Sequence, residues 1–371
     1  MKDRLSQRLL GAVLEWNDEE LSKHQPVLDA LARLKYDEYQ QFLPGMKFNE
    51  SLALWLSQFE TINERRIAFQ FIQDKLIFVS SPEMNHLVDL AYPNVIKPIL
   101  LKKVAKILNV PYWKQAELSN TILFKELLRK SLFLALSDGA HIGRFRRTNQ
   151  LSNEQVHSSY ELTAEKLHGF IKDLRVDIAK YRNKPVDSIQ IDEAKFRSIF
   201  LLDDFSGSGF SLLRKKGEAF KGKMNRIHEQ IFEVDSNWAN ALDPQGFDIY
   251  IIIYIMTTIA KEHVEELIGE IWKDTKSNVF VCPVYCLDNQ IRIFRNAQTE
   301  INPLIEKYYD PSVMDKHLRE GGTTDVKFGF ADVGLPLVLS HNSPNDGLYL
   351  LWADENIHGL FPRISRHKEE S

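Results

Sequence analysis

The sequence predicts an α/β protein in which a mostly parallel, Rossmann-like sheet follows an N-terminal helical domain. Downstream of about residue 125, apolar segments rich in β-branched residues alternate with amphipathic segments, an order typical of parallel strands joined by helices. Residues 247–260 form the most apolar run, and its β-branched and aromatic content is typical of a buried parallel strand. Upstream, apolar residues recur at the three- and four-residue spacing of helices. We therefore predict domains at 1–125 and 126–371.

The elements follow in order from these patterns. Helices are predicted at 5–16, 20–34, 49–59 and 64–73, a short strand at 75–79, and a further helix from Pro82. In the second domain, strands are predicted at 131–136, 198–202, 249–256, 278–286 and 335–339, with helices at 152–178, 208–216 and 261–272. An insertion is expected at about 217–247.

Residues 100–120 have the outline of a helix, a tight turn and a second helix. Four lysines lie close by, which favours a helix-turn-helix or winged-helix element that touches DNA phosphates: Lys102, Lys103, Lys106 and Lys114. The alternative is an ordinary helical bundle, which contains the same arrangement. DNA contact is therefore a hypothesis on this segment.

Residues 198–211 (SIFLLDDFSGSGFS) combine an apolar strand, two carboxylates and a Gly/Ser turn. A strand that ends in adjacent acids places Asp203 and Asp204 at the carboxyl edge of a sheet, where α/β folds bind ligands. Such acids can hold hydroxyls or Mg²⁺, while turn amides and a helix N-terminus can hold a phosphate. The alternative is an acid pair that caps an ordinary helix. We interpret the segment as a sugar-phosphate site.

This segment resembles the signature of the type I phosphoribosyltransferases, which is four apolar residues, two acids and a short Ser/Thr/Gly loop before a helix. The resemblance implies a phosphoribosyltransferase sheet and a phosphoribosyl pyrophosphate donor, with Mg²⁺ on its diphosphate. It implies that Asp203 and Asp204 hold the ribose hydroxyls. It also implies that the loop holds the 5'-phosphate through Ser206, Gly207, Ser208, Gly209 and Ser211.

A second small-residue turn beside arginines follows the strand predicted at 131–136. It suggests a diphosphate site formed by Ser137, Asp138, Gly139 and Arg144. The segment does not match the pyrophosphate-loop motif of the phosphoribosyltransferases, so this assignment is a hypothesis. The alternative is a turn that leads into a solvated basic segment.

The third segment is 341–352 (HNSPNDGLYLLW), which by composition alone predicts a turn. Together with 203–209 and 137–147 it resembles phosphoribosyltransferase-like proteins of bacterial conflict systems. Some of these are effectors of antiphage defence encoded beside retron reverse transcriptases. The resemblance implies a ribosyltransferase and DNA-binding effector that a reverse transcriptase and its RNA–DNA product hold inactive.

Composition sets wide limits on function. The chain has 371 residues and a net charge of −4, so any nucleic-acid binding would need a local basic face. The N-terminus lacks a signal-peptide pattern and the run 247–260 is too short to span a membrane, so we expect a cytoplasmic protein without membrane partners. Two other readings stay open: a non-catalytic phosphoribosyl-ligand sensor coupled to a DNA-binding regulator, and an assembly component of a nucleoprotein.

Within the insertion, residues 217–224 (GEAFKGKM) nearly match the phosphate-binding loop of nucleotide hydrolases. Met224 replaces the hydroxyl that binds Mg²⁺, and the segment follows a predicted helix instead of a strand. We therefore reject this match. The insertion could be a lid, a partner surface or a nucleic-acid contact, and we expect a mobile surface excursion.

Overall fold

The computed structural model describes residues 2–233, 236–314, 318–319, 322–354 and 356–364. The chain divides into two compact units, one formed by residues 1–83 with 288–371 and the other by residues 84–287. These boundaries differ from the predicted division near residue 125. The C-terminal segment packs with the N-terminal helices, a long-range association that local periodicity does not report.

The α-helices and strands alternate along much of the chain. The helices are α1 (Lys2–Leu14), α2 (Asp18–Leu34), α3 (Phe48–Ser57), α4 (Ile62–Lys75), α5 (Ser81–Leu90), α6 (Lys97–Leu108), α7 (Gln115–Ser119), α8 (Ile122–Arg129), α9 (Ile142–Thr148), α10 (Ala164–Arg182), α11 (Lys223–Phe232), α12 (Thr258–Ile271), α13 (Asn302–Lys307) and α14 (Tyr349–Trp352). The strands are β1 (Ile77–Val79), β2 (Ser131–Ala135), β3 (Val156–His157), β4 (Ser198–Ser206), β5 (Arg214–Lys216), β6 (Ala219–Lys221), β7 (Asp248–Thr257), β8 (Asn278–Leu287) and β9 (Leu337–Leu339). A π-helix over Ala91–Ile96 joins α5 to α6.

The first unit contains the predicted N-terminal helices. Capping boxes begin two of them, with Asn17 and Glu20 at α2 and Thr61 and Glu64 at α4, because these side chains bond the otherwise unpaired N–H groups of the first turn. The unit's short sheet pairs β1 in parallel with β9. The predicted strand at 335–339 therefore exists, but its partner is β1 and not a strand of the larger sheet.

An aromatic core holds the two ends of the chain together in this unit. The Phe361 ring lies 5.7 Å from that of Phe48 and 5.5 Å from that of Phe78. The buried Tyr39 hydroxyl donates to the backbone oxygen of Pro362 over 2.7 Å. Rings of this size bury large apolar areas, so these contacts explain why the C-terminal segment folds with residues 1–83.

The second unit is built on a five-stranded, all-parallel sheet in the order β3-β2-β4-β7-β8. This confirms the predicted α/β fold with a mostly parallel sheet. The adjacent interior strands β4 and β7 are almost wholly buried, as is usual for strands of a parallel sheet. Parallel strands place all their carboxyl ends at one edge, and that edge carries the predicted acids.

Four aromatic rings form a ladder across one face of this sheet. Phe133, Phe200, Tyr250 and Phe280 occupy matching register positions on β2, β4, β7 and β8. Successive ring centroids lie 5.1, 4.9 and 5.1 Å apart, with interplanar angles near 15°. Cross-strand aromatic pairs stabilise strand pairing, so the ladder helps to set the register of β4.

Two predicted helices differ from the structure. The sequence predicts a helix at 208–216, but the structure has a turn in this range, followed by β5, which pairs antiparallel with β6. The helix predicted at 152–178 begins later, as α10, because β3 occupies the start of that range. Gly207 and Gly209 favour a turn over a helix, which accounts for the first difference.

No helix among the described residues is both long enough and apolar enough to cross a membrane.

We expect the Phe200→Ala substitution to lower the free energy of unfolding by about 3–5 kcal/mol, because it removes a fully buried ring from the centre of the ladder. Urea unfolding of the full chain, followed by circular dichroism, measures this loss. Phe280→Ala is the matched control, since Phe280 lies on the edge strand with 44% of its surface exposed. Equal losses for the two variants would contradict a central role for Phe200.

Candidate active site

The two predicted acids lie at the carboxyl end of β4, where the strand pairs with a neighbouring strand on one side only. β2 pairs with β4 only as far as Leu202, opposite Ala135, whereas β7 pairs with β4 as far as Ser206. The loop after β2 takes the open side, and the Leu136 N–H donates to the Leu202 oxygen over 2.8 Å. This loop is the one predicted to hold a diphosphate.

Asp203 is almost fully buried and both of its carboxylate oxygens accept hydrogen bonds. The Ser137 hydroxyl donates to Oδ1, and the Lys223 Nζ donates to Oδ2 over 2.5 Å. Burial raises the pKa of the Asp203 carboxyl, against the opposing charge of Lys223, and the neighbouring Asp204 raises it further. The structure thus brings Ser137 from the second predicted segment to the first acid.

Asp204 points its carboxylate toward Gly139. Its Oδ1 accepts the Phe205 N–H over 2.8 Å. A Cβ atom added to Gly139 would lie 2.3 Å from Asp204 Oδ2, so any other residue at 139 would displace the carboxylate. Asp204 is only partly buried, in contrast to Asp203. Gly139, which the sequence predicts for a diphosphate turn, therefore leaves the space that the Asp204 carboxylate occupies.

The loop after β4 is held in a tight turn by its own backbone and by α12. Gly209 has a φ of +81°, a left-handed conformation that favours glycine, and its oxygen accepts the N–H groups of Leu212 and Leu213 over 3.0 Å. The Thr257 hydroxyl donates to the Gly207 oxygen over 2.5 Å and also caps α12 by accepting the Ala260 N–H. One side chain thus couples the loop to the helix.

The same region contains polar groups that have no hydrogen-bond partner among the residues the structure describes. Ser206 is 4% exposed, and its hydroxyl makes no hydrogen bond to any described residue. Among the described residues, no acceptor is bonded to the backbone N–H groups of Gly207, Ser208 or Gly209. Ser211, by contrast, is exposed. A buried hydroxyl left unpaired costs free energy, so this loop is suited to an oxygen-rich ligand such as a phosphate.

Lys223 is a site residue that sequence reasoning did not assign. It is the first residue of α11 in the predicted insertion, and its ammonium reaches Asp203. The signal was present in the Gly222-Lys223 pair of the rejected 217–224 match. The residues form no phosphate-binding loop of that class, because Gly217 lies in the turn between β5 and β6, but the lysine does reach the acidic site.

Other residues of the diphosphate hypothesis lie differently. Arg144 forms a two-bond ion pair with Asp89, with Nε–Oδ1 at 2.9 Å and Nη2–Oδ2 at 2.5 Å. The Arg144 guanidinium holds the pKa of Asp89 below its usual range. Asp138 is exposed on a short 3₁₀ turn. The structure therefore brings Ser137 and Gly139 to the acids, while Arg144 has its own carboxylate partner.

The third predicted segment, 341–352, belongs to the other compact unit. Its Trp352 is 5% exposed, and the indole N–H donates to the Gly347 oxygen over 2.8 Å. The Ser343 hydroxyl donates to the Phe361 oxygen over 2.8 Å. These contacts give the segment a structural role inside its own unit.

Few groups at this site could bind a metal ion. No group of three or more His, Cys, Asp or Glu side chains within the described ranges could hold a metal. Magnesium commonly binds through substrate phosphates and water with few protein ligands. Asp203 and Asp204 are the residues that would hold a Mg²⁺ ion that arrived with a diphosphate.

One comparison with known proteins gave a match. The model of the PRTase-CE family matches residues 52–363, which is well over half of the chain. The chain belongs to the PRTase-CE family. This membership, together with the parallel sheet, identifies a phosphoribosyltransferase-type domain and a phosphoribosyltransferase-like function. Searches of curated proteins and of solved structures gave no match for this PRTase-CE protein.

We expect Thr257→Val in the PRTase-CE chain to lower the free energy of unfolding by about 1–3 kcal/mol, because the buried Gly207 oxygen loses its donor and α12 loses its cap. Thr257→Ser keeps the hydroxyl and should stay close to wild type. Urea unfolding of the three proteins measures both effects. A valine variant as stable as the serine variant would show that the hydroxyl does not hold the loop.

Proposed function

We propose that this PRTase-CE protein transfers a ribosyl group from a phosphoribosyl pyrophosphate-like donor held by the loop after β4. The observation that carries the proposal is the buried Ser206 hydroxyl, two residues after the acid pair at the carboxyl edge of a parallel sheet, which has no hydrogen-bond partner among the described residues. A phosphate oxygen would satisfy that hydroxyl, and the N–H groups of Gly207, Ser208 and Gly209 would bind the same phosphate.

The mechanism follows from where charge develops. The bond between the anomeric carbon and the diphosphate oxygen breaks, the diphosphate leaves with the electron pair, and an acceptor nucleophile forms the new bond at that carbon. Mg²⁺ bound to the diphosphate would stabilise the leaving charge. The Asp203 and Asp204 carboxylates would orient the ribose hydroxyls and favour the positive charge on the sugar. Ser137 would keep Asp203 oriented through its hydrogen bond.

The combined Asp203→Asn and Asp204→Asn substitution is expected to abolish binding of phosphoribosyl pyrophosphate with Mg²⁺, because amides lose the charge and half of the acceptor sites. Isothermal titration calorimetry on the full chain measures this. The control is Asp187→Asn, which changes an exposed acid of the same unit and should bind as wild type.

Three results would contradict the proposal. Wild type that binds no donor would remove the transferase assignment. A double variant that binds as tightly as wild type would place the donor elsewhere. Wild type that binds the donor without any ribosyl transfer would support the sensor alternative.

A second candidate function is DNA contact by the segment from α6 to α7. Trp113 is 78% exposed, and Lys102 lies over the Tyr112 ring at 5.8 Å. Aromatic rings interleaved with lysines favour nucleic-acid binding through stacking and phosphate contacts. Two of the four predicted lysines already have carboxylate partners, because Lys103 pairs with Asp248 and Lys114 pairs with Glu117.

We expect Trp113→Ala to weaken binding of a labelled DNA single strand by about tenfold or more, because one stacked base contributes about 1–3 kcal/mol. Fluorescence anisotropy at low salt measures the affinity, and a duplex of the same sequence tests for groove contact. Ile191→Ala, which changes another exposed apolar side chain of this unit, is the control. Equal affinities for all three proteins would argue against this surface.

The proposal extends to an effector role in retron-type antiphage defence, with a reverse transcriptase and its RNA–DNA product as partners. Its support is the likeness of segments 137–147, 203–209 and 341–352 to proteins of bacterial conflict systems. A reverse-transcriptase gene beside the gene for this chain would favour defence. Purine genes in that position would favour the alternative, a phosphoribosyl-ligand sensor coupled to a DNA-binding regulator.

A further inference from the structure

Lys223 is a cation that the predicted insertion places on the first acid of the pair. Its Nζ lies 2.5 Å from Asp203 Oδ2, and within the described part of the chain Asp203 is its only hydrogen-bond or ion-pair partner. An ammonium has three N–H donors, so two remain after the bond to Asp203. The lysine therefore offers donors to a group that the protein does not supply.

The two side chains of this pair differ in their exposure to solvent. The Asp203 side chain is 5% exposed, whereas the Lys223 side chain is 22% exposed. The lysine side chain is thus the more solvent-accessible half of the pair. Because Ser137 and Lys223 occupy one carboxylate oxygen each, a ligand that approaches Asp203 meets the lysine as well.

The backbone couples Lys223 to the loop after β4. The Lys223 N–H donates to the Ser211 oxygen over 3.2 Å, and the Met224 N–H donates to the Leu212 oxygen over 2.9 Å. Gly222 has a φ of +113°, and a Cβ there would lie 2.6 Å from the Leu212 oxygen. These contacts use the first N–H groups of α11, so the lysine side chain, and not the helix N-terminus, is the group available to an anion.

We propose that Lys223 binds an anionic phosphate oxygen of the donor and so bridges that phosphate to Asp203. This inference rests on the proposed function and adds a residue that contacts a phosphate of the donor, since a neutral nucleoside offers the ammonium no anionic oxygen. The pairing also gives the buried Asp203 carboxylate a counter-charge before the donor arrives, which an isolated buried carboxylate would lack. Lys223 is then a donor-binding residue contributed by the insertion.

The test is titration of phosphoribosyl pyrophosphate with Mg²⁺ into wild type, Lys223→Met, Lys223→Arg and Lys221→Met. Loss of a charge-assisted bond is expected to weaken binding by Lys223→Met about tenfold to a hundredfold. Lys223→Arg keeps the charge and should recover part of the affinity. Lys221→Met, which changes an exposed lysine two residues away on β6, should bind as wild type.

Separate titrations with ribose 5-phosphate and with inorganic pyrophosphate identify the phosphate concerned. If Lys223 binds the 5'-phosphate, Lys223→Met should weaken binding of ribose 5-phosphate alone. If Lys223 binds the diphosphate, the substitution should weaken binding of pyrophosphate alone. If Lys223→Met binds ribose 5-phosphate, pyrophosphate and the whole donor as tightly as wild type does, the inference is overturned.

A further variant separates binding from folding. Lys223→Met leaves Asp203 buried without its counter-ion, so the combined Lys223→Met and Asp203→Asn variant removes both charges. Relative to Asp203→Asn alone, the combined variant should bind the donor more weakly, and equal affinity would overturn the inference. Wild type that binds no donor would sink the proposed function and the inference together. Wild type and Lys223→Met that bind equally would sink the inference and leave the proposed function standing.

Discussion

The site depends on the unequal pairing of β4 with its two neighbours. β7 supports the strand to Ser206, but β2 stops opposite Leu202, so the last four residues of β4 have a sheet neighbour on one side only. The loop after β2 fills the other side and bonds Asp203 through Ser137. A longer β2 would extend the ladder alongside the acids, and the site would lose the space that its loop now occupies.

The site also depends on how the charge of a buried carboxylate is balanced. Asp203 carries a carboxylate into a region that is almost fully shielded from water, and burial raises its pKa. Lys223 and Ser137 offset part of that penalty from opposite sides. The Tyr254 hydroxyl donates to the Ala140 oxygen over 2.6 Å and ties β7 to the same loop. Burial, with the two nearby acids, raises the pKa of Tyr254, so its proton stays available for that bond.

The insertion contributes a residue to the candidate site. Gly222 lies in close contact with the loop after β4, and Lys223 bonds Asp203, so the start of α11 is not simply a surface excursion. The hairpin of β5 and β6 brings the chain back so that α11 begins beside Leu212. These contacts place the start of α11 beside the acid pair.

Side-chain periodicity in the sequence predicts the strands β2, β4, β7 and β8. The sequence also places the two acids before the glycines of the turn. These features depend on side-chain periodicity and on the conformational needs of single residues, which the sequence states directly. Tertiary structure alone decided that β9 pairs with β1, that Arg144 pairs with Asp89, and that Lys223 meets Asp203. Each of these contacts joins residues separated by at least 20 positions, and their partners are chosen by packing and charge in three dimensions.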